Sequence, residues 1–333
     1  MAVGMSNVID VRDLTRKFRE LVAVDTLNFT VEQGEVFGLL GPNGAGKTTT
    51  LSMLCTILKP TSGTAIVNGY DITEHPSQVR RSIGIVFQEP SIDDRLTGRE
   101  NLEMHADLYG VPKREQRKRI EDVLELVELH DKADLLMRTY SGGMRRRLEI
   151  ARGFIHYPKV LFLDEPTLGL DPQTRGHIWT YISELSEREG ITIILTTHYM
   201  EEADNLCDRV AIIDYGKIVA LDEPDRLKEA LEGDIISVKT DAMKQLSAKL
   251  IGVGWVKESR EENGQLKLVV KDGNAALPRV VEIAASSGIH IDSMSIHEPT
   301  LEDVFLNYTG REIRGEVGDE YGGIAAIRRH SIK

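Results

Sequence analysis

The chain has 333 residues, of which 41% are hydrophobic and 28% charged, and its formal net charge is −12. This composition is typical of a folded protein and excludes a largely disordered chain, and the length allows two domains. The negative charge disfavours general binding to the nucleic-acid backbone, so we expect no nucleic-acid partner. The longest apolar runs are far shorter than the roughly 18 residues of a membrane span, and Met1 to Asp10 lacks a signal-peptide pattern.

The two cysteines, Cys55 and Cys207, have apolar neighbours and no metal-ligand spacing. This arrangement predicts neither a disulfide framework nor a zinc site. It favours a reducing, cytoplasmic setting.

Alternating apolar residues in the first 30 positions predict antiparallel, half-buried strands, and Asn68-Gly69 predicts a tight hairpin turn. Short apolar runs typical of strands buried on both faces of a mainly parallel sheet occupy 36–40, 160–163, 191–195 and 210–213. Helical spacing, for example over Thr48 to Leu58, separates these runs. The pattern predicts an α/β domain with an antiparallel N-terminal part.

Between Arg99 and Pro158 no strand-like run occurs, so we predict a helical insertion over about 95–158 in a first domain of residues 1–230. Its charged helix at 114–129 has a basic face that is either solvated or docks on a membrane or partner. A small α+β, ferredoxin-like domain is predicted over 231–310 and a flexible tail over 311–333. Its strands and helices are predicted at 235–238, 242–251, 255–257, 266–270, 275–286 and 289–296.

Residues 41–48 match the phosphate-binding loop (P-loop) pattern, with a buried strand before them and a helix after them. The glycines let backbone N–H groups surround an anion, and the helix N-terminus adds its dipole. Lys47, which we expect to face solvent, would bridge the β- and γ-phosphates, and the Thr48 hydroxyl would bind Mg²⁺. The alternative is a glycine-rich turn without a ligand. The predicted phosphate-binding residues are Gly41, Pro42, Asn43, Gly44, Ala45, Gly46, Lys47, Thr48 and Thr49.

Two adjacent acids, Asp164 and Glu165, end the apolar run at 160–163. Because neighbouring side chains of a strand point to opposite faces, we expect the two to have different tasks. One would hold Mg²⁺, and the other would accept a proton from the attacking water. Two exposed acids at a capped strand end are the alternative.

With these motifs in this order, the chain resembles the nucleotide-binding subunit of ATP-binding cassette (ABC) transporters from residue 8 to about 225. The segment 140–144 corresponds to the family signature, with Tyr140 and Met144 in place of the usual Leu and Gln. Ser141 is also a good helix N-cap, and a plain cap is the alternative. The resemblance implies a P-loop NTPase fold, ATP as the nucleotide, and Ser141, Gly142 and Gly143 binding the ATP held by a second subunit.

Further roles rest on the resemblance. Gln88 matches the loop that senses Mg²⁺ and contacts the membrane partner, and His198 matches the switch histidine at the γ-phosphate. Asp171 lies in the loop that links the two ATP sites, Asp164 would hold Mg²⁺, and Glu165 would be the general base. Phe18 occupies the position of the aromatic that stacks on adenine, with a buried core phenylalanine as the alternative.

The segment 298–306 is similar to a closing motif of the ABC subunits found with drug, antibiotic, sodium and polysaccharide exporters. As local structure it predicts a helix with Thr300 as N-cap, Asp303 three residues on, and Leu301, Val304 and Phe305 packed inward. The resemblance implies an accessory domain after the cassette and export as the direction of transport.

The sequence therefore predicts an ATPase that dimerises with itself or a second ABC subunit, sandwiches two MgATP and drives an integral-membrane permease from the cytoplasmic face of the membrane. The competing class is a soluble ABC ATPase acting on ribosomes or DNA. That class usually has two cassettes or a long coiled-coil insertion, and this chain has one P-loop and a short insertion. A GTPase is disfavoured because Asn-Lys-x-Asp is absent. In the family that the chain resembles, the permease sets the cargo.

Overall fold

The computed structural model describes residues 7–310 except positions 90, 232 and 263, so the tail predicted at 311–333 lies outside the described residues. The strands of this part of the chain form three sheets. The described strands are β1 (Asn7–Phe18), β2 (Leu21–Glu32), β3 (Val36–Leu40), β4 (Ser62–Val67), β5 (Tyr70–Asp71), β6 (Ile83–Val86), β7 (Val160–Asp164), β8 (Thr192–Thr197), β9 (Arg209–Asp214), β10 (Lys217–Asp222), β11 (Asp234–Lys239), β12 (Val256–Glu262), β13 (Gln265–Val270) and β14 (Ser293–His297).

Helices cover the sheets and form the insertion between β6 and β7. The described α-helices are α1 (Lys47–Leu54), α2 (Pro76–Ser82), α3 (Gly98–Leu108), α4 (Lys113–Leu126), α5 (Gly142–Phe154), α6 (Pro172–Glu189), α7 (Met200–Leu206), α8 (Pro224–Glu229), α9 (Met243–Leu250), α10 (Gly273–Ser286) and α11 (Leu301–Thr309). None of these helices combines the length and the apolar character that a membrane-spanning helix needs.

The central sheet has six strands in the order β10-β9-β3-β8-β7-β6, and all neighbours are parallel except β10 and β9. Both of its faces are buried. On β3, Val36 and Leu40 pack into one core while Phe37 and Leu39 pack into the other. The α/β prediction from short apolar runs is confirmed. Because parallel strands end at one edge, β3, β7 and β8 bring the segments that follow them together.

An antiparallel sheet of order β2-β1-β4-β5 packs beside it, as predicted for the N-terminal part. Asn68 and Gly69 both have positive φ, 48° and 80°, at the turn between β4 and β5. A two-residue turn with positive φ at both positions matches the twist of a hairpin, so Asn-Gly is favoured there. The predicted turn is confirmed.

Helix α1 is shorter than the 48–58 helix that the sequence predicts. It ends at Leu54, with Cys55 as C-cap, and Thr56 has a left-handed φ of 61°. Leu58 nevertheless packs against the core. The apolar spacing therefore continues because the chain stays on the core, although the helix has ended.

The third sheet has the order β12-β13-β11-β14 and is antiparallel throughout, with α9 and α10 contributing to its core. Its βαββαβ order and ferredoxin-like topology agree with the prediction. Strand β12 extends to Glu262, beyond the predicted 255–257. The prediction stopped short because residues 258–262 are polar and lack apolar alternation. Charged residues on an edge strand limit pairing with other chains, which explains this composition. Strand β14 begins at Ser293 rather than at 289.

Helix α11 follows the third sheet along the chain and packs into the core that contains Val36 and Leu40. Leu301, Val304 and Phe305 are buried together with Leu206 of α7 and Leu227 of α8. Thr300 and Asp303 form a reciprocal capping box at its N-terminus, as predicted. The apolar face of α11 therefore links the C-terminal sheet to the helix that follows His198.

Asp303 holds the other side of α11, since its carboxylate pairs with Arg260 (3.0 Å) and Lys267 (3.3 Å) and is 1% exposed. Burial raises the pKa of Asp303, but the bonds from Thr300 and the charge of Lys267 outweigh it and hold the pKa below 3.8. The stabilisation is therefore present above pH 3.8 and is lost as the pH falls through the lower folded-state value.

We expect Asp303→Asn to lower the free energy of unfolding by about 2 kcal/mol at pH 7, because it removes one of the two buried carboxylates, Asp303 and Glu262, that the partly buried Arg260 and Lys267 share. Urea denaturation at several pH values measures this. The matched control is Glu302→Gln, which removes the neighbouring, exposed carboxylate of the same helical turn and should change stability by less than about 0.5 kcal/mol. The free energies of unfolding of Asp303→Asn and wild type should converge as the pH falls below 3.8. A difference that stays constant over that range would contradict the assigned ion pairs.

Candidate nucleotide site at the edge of the central sheet

The loop from Gly41 to Gly46 connects β3 to α1. Its backbone favours glycine at Gly44, where φ is 82°, and at two positions where it approaches other segments closely. Gly46 is the N-cap of α1 with a left-handed φ of 109°, and a Cβ there would lie 2.5 Å from the carbonyl oxygen of Ala23. A Cβ on Gly41 would lie 2.2 Å from the carbonyl oxygen of Ile213. Because these segments of the chain approach one another closely, the first backbone amides of α1 lie at the mouth of the loop. Amides in this position suit an anion.

This loop opens into a cavity of about 270 Å³. Gln88 and Glu165 reach the same cavity from the ends of β6 and β7, as parallel strands require. Of the predicted site residues, the cavity is lined by Asn43, Gly44, Gly46, Lys47, Thr48, Thr49, Gln88 and Glu165; Ala23 and Leu168 complete it.

Lys47 does not face solvent, contrary to the sequence-based expectation. It is 4% exposed, and its Nζ donates to the carbonyl oxygens of Gly41 (2.7 Å) and Pro42 (3.1 Å) and lies 3.5 Å from Glu165 Oε1. Burial lowers the pKa of Lys47, while the charges of Glu165 and Asp164 oppose that change. The loop folds back over its own lysine, which the amino-acid pattern alone does not indicate.

Glu165 lies between two potential cations. Its Oε1 is 3.5 Å from Lys47 Nζ and 3.3 Å from Nδ1 of His198, which follows β8. Burial raises the pKa of Glu165, but the contact with His198 and the charge of Lys47 outweigh it and hold the pKa below its ordinary value of 4.5. The carboxylate is therefore ionised at neutral pH and able to accept a proton.

The side chain of Asp164 contacts different groups from the side chain of Glu165, as expected for adjacent residues at a strand end. Its Oδ1 accepts hydrogen bonds from the hydroxyls of Thr48 (3.0 Å) and Thr196 (2.6 Å). Thr196 is its neighbour on β8. A carboxylate and a hydroxyl at the edge of a phosphate cavity are oxygen donors of the kind that Mg²⁺ prefers.

The signature segment lies elsewhere. Ser141 caps α5 by accepting from the Met144 N–H at 3.2 Å, and Ser141 and Gly142 are exposed. A Cβ on Gly143 would lie 2.5 Å from Thr174 Cγ2, so the segment packs against the start of α6. Asp171 caps that helix through the Thr174 N–H at 3.0 Å. Neither Asp171 nor the signature lines the cavity beside Lys47.

Phe18, the last residue of β1, is 42% exposed, which excludes the core alternative. The Arg16 guanidinium lies 4.5 Å from the ring centroid. One face of the ring is thus occupied by a cation. Ala23, five residues on, lines the cavity.

Comparison with known proteins gives close relatives over most of the chain. The daunorubicin resistance ATP-binding protein DrrA2 of Streptomyces coeruleorubidus is 40% identical over 89% of this chain and 93% of its own. The Nod factor export ATP-binding protein I of Ralstonia nicotianae is 41% identical over 94% and 97%. Residues 24–168 match the ABC transporter family model, and 223–309 match the C-terminal domain of DrrA1-3-like ATP-binding proteins. The chain belongs to the ATP-binding subunits of ABC transporters.

Solved structures agree with this assignment. The ABC subunit cbiO1 of Clostridium perfringens, part of the cbiONQ complex, is 31% identical with a TM-score of 0.63 over 68% of this chain and 93% of that one. A dimeric, post-hydrolysis ATP-binding cassette bound to ADP and Pi is 27% identical with a TM-score of 0.58 over 65% and 98%. The resemblance noted in the sequence is confirmed, and this ABC subunit is an ATPase.

The sequence did not assign a role to three residues of the candidate site. Thr196 donates to Asp164, and Ala23 and Leu168 line the cavity. The only sequence signal for Thr196 is its place two residues before His198, at the end of a strand adjacent to β7. The sequence marks Ala23 only by its place five residues after Phe18, and Ala23 reaches the cavity from the antiparallel sheet.

Proposed function

We propose that two copies of this ABC subunit, or one copy and a second ABC subunit, close on two ATP molecules so that each signature contacts the nucleotide held by the partner. The observation that carries the proposal is the exposure of Ser141 and Gly142 at the N-terminus of α5, outside the cavity that the same chain's P-loop lines. A helix N-terminus with open amides suits a phosphate. The dimeric relative with ADP and Pi supports the same arrangement.

The residues at the cavity also fit Mg²⁺. Within the described ranges no three His, Cys, Asp or Glu side chains cluster to hold a metal unaided. The Thr48 hydroxyl, the Asp164 carboxylate and the Gln88 amide oxygen are hard oxygen donors, to which nucleotide phosphates and water would add. When bound, Mg²⁺ would neutralise charge on the phosphates.

In the proposed mechanism the protein contributes positioning and electrostatics. Lys47 and the backbone N–H groups of the loop stabilise negative charge on the phosphates. Glu165, ionised and 8% exposed, accepts the proton of the attacking water. His198, which shares a contact with Glu165, orients the γ-phosphate. Phe18 presents its remaining ring face to adenine.

ABC subunits work with membrane permeases, and we propose that this one is peripheral on the cytoplasmic face of the membrane and powers export through a separate integral-membrane permease. Relatives named for daunorubicin resistance, linearmycin resistance and Nod factor export support the direction of transport. The cargo class is a drug, ion, lipid or polysaccharide-like molecule, and the permease sets which one.

Cross-linking the tagged subunit in its own cells, followed by detergent extraction and mass spectrometry, tests this function. We expect to recover a multi-span membrane protein in fixed stoichiometry with the subunit. Vesicles that contain this membrane protein should raise the ATPase rate of the wild-type subunit but not that of Lys47→Ala. Recovery of ribosomes or DNA instead of a membrane protein would favour the soluble class of ABC ATPase.

A further inference from the structure

Arg146 on α5 is buried, with 8% of its surface exposed. A guanidinium has five N–H donors, and in Arg146 all five have acceptors. Nε donates to Pro166 O (2.6 Å), Nη1 to Phe87 O (2.7 Å) and Glu149 Oε2 (3.0 Å), and Nη2 to Asp164 O and Glu165 O (both 3.1 Å).

Three of these acceptors are consecutive carbonyls at the end of β7, where the chain turns at Glu165. Glu165 has a left-handed φ of 45°, which is uncommon for a residue with a side chain. The surrounding structure must therefore hold it. Its N–H is fixed by Thr196, through the carbonyl oxygen at 3.2 Å and the hydroxyl at 3.0 Å. Its carbonyl oxygen accepts from Arg146 and from the Leu168 N–H at 3.2 Å. This turn sets the direction in which the Glu165 carboxylate points.

The charge of Arg146 is balanced inside the protein. Glu149, whose side chain is 3% exposed, pairs with it at 3.0 Å and also accepts from the Ser91 N–H at 2.8 Å. The remaining acceptor, Phe87 O, belongs to the residue before Gln88. One guanidinium thus connects the signature helix with the loops that carry Glu165 and Gln88.

We propose that Arg146 is a positioning residue for ATP hydrolysis: it fixes the backbone turn that aims Glu165 at the nucleotide. Arg146 does not line the cavity, so it acts through Glu165 rather than on ATP. The inference rests on the proposed role of Glu165 as general base. A lysine in its place would keep the charge beside Glu149 but could not supply the planar fork of donors to four carbonyls.

The test compares steady-state ATPase activity of Arg146→Gln and Arg146→Lys with that of Arg147→Gln. We expect kcat to fall about 10- to 100-fold in both Arg146 variants, since a displacement of about 1 Å at a reacting group costs rates of this order, while KM for MgATP stays within about threefold. Arg147 donates to Val127 O and to the Tyr181 hydroxyl, away from the site. Its variant should stay within about twofold of wild type. Melting temperatures establish that each variant is folded, and Arg146→Lys decides the case if Arg146→Gln does not fold.

Combination with Glu165→Gln, measured under single-turnover conditions, shows whether Arg146 acts through Glu165. Because residues that act as one unit are non-additive, adding Arg146→Gln (or Arg146→Lys) should lower the rate of Glu165→Gln by no more than about twofold. A further 10- to 100-fold loss, or wild-type kcat in folded Arg146→Lys, would overturn the positioning role. If Glu165→Gln alone kept the wild-type rate, the general-base assignment would fail instead, whatever the Arg146 variants did.

Discussion

Replacing Glu165 with glutamine should lower the rate of ATP hydrolysis by about 10²–10⁴-fold, the usual contribution of a general base, and leave ATP binding near normal. Glutamine keeps the size and polarity of the side chain but cannot accept the proton of the attacking water. It also removes the charge that Lys47 and His198 face at 3.5 and 3.3 Å. Single-turnover hydrolysis and equilibrium binding of a fluorescent ATP analogue measure the two quantities separately.

Glu201→Gln is the matched control for this variant. Glu201 lies three residues after His198, on the first turn of α7, and its side chain is exposed. Its rate should remain within about twofold of wild type, as is usual for surface substitutions. Equal losses in the two variants would show that Glu165 has no special role as a base.

Lys47→Ala should reduce kcat/KM for MgATP by at least about 10²–10³-fold, the loss that follows removal of one preorganised charge-stabilising donor. Lys47 Nζ donates to the backbone carbonyls of Gly41 and Pro42 in the structure. Because these partners belong to the loop itself, alanine should also loosen the P-loop and weaken ATP binding. Isothermal titration with MgATP, together with steady-state ATPase assays, measures both effects.

Lys59→Ala serves as the control, since Lys59 is an exposed lysine shortly after α1. It should bind and hydrolyse ATP as the wild type does. A folded Lys47→Ala protein with wild-type kcat/KM would refute the phosphate-loop assignment.

The central sheet was predictable because each strand carries its own signal. The run 36–40 coincides with β3, and 160–163 differs from β7 by one residue, since a strand buried on both faces is apolar throughout. Strand β12 and the end of α1 were not predictable. The polar residues 258–262 pair at an edge, and the apolar spacing past Leu54 reflects packing rather than a helix.

The positions of site residues were predictable where a sequence motif fixes the backbone. They were not predictable where the burial of a side chain depends on how the surrounding chain folds. The P-loop and Asp164-Glu165 are placed by sequence because both follow strands of one parallel sheet. The burial of Lys47 depends on the fold of the loop around it. Arg146 is one of three successive arginines, and only the orientation of α5 distinguishes it from Arg145 and Arg147.

The molecular mass of Glu165→Gln in MgATP, by light scattering coupled to gel filtration, tests the two-subunit ATP sandwich most directly. Slow hydrolysis should keep the closed form populated, so we expect twice the monomer mass with MgATP and the monomer mass without nucleotide. Adding Ser141→Arg should restore the monomer, because its side chain would block the partner's γ-phosphate. Adding Ser287→Arg, at an exposed serine after α10, should not. A Glu165→Gln protein that stays monomeric in saturating MgATP, or a Ser141→Arg double variant that still dimerises, would contradict the sandwich.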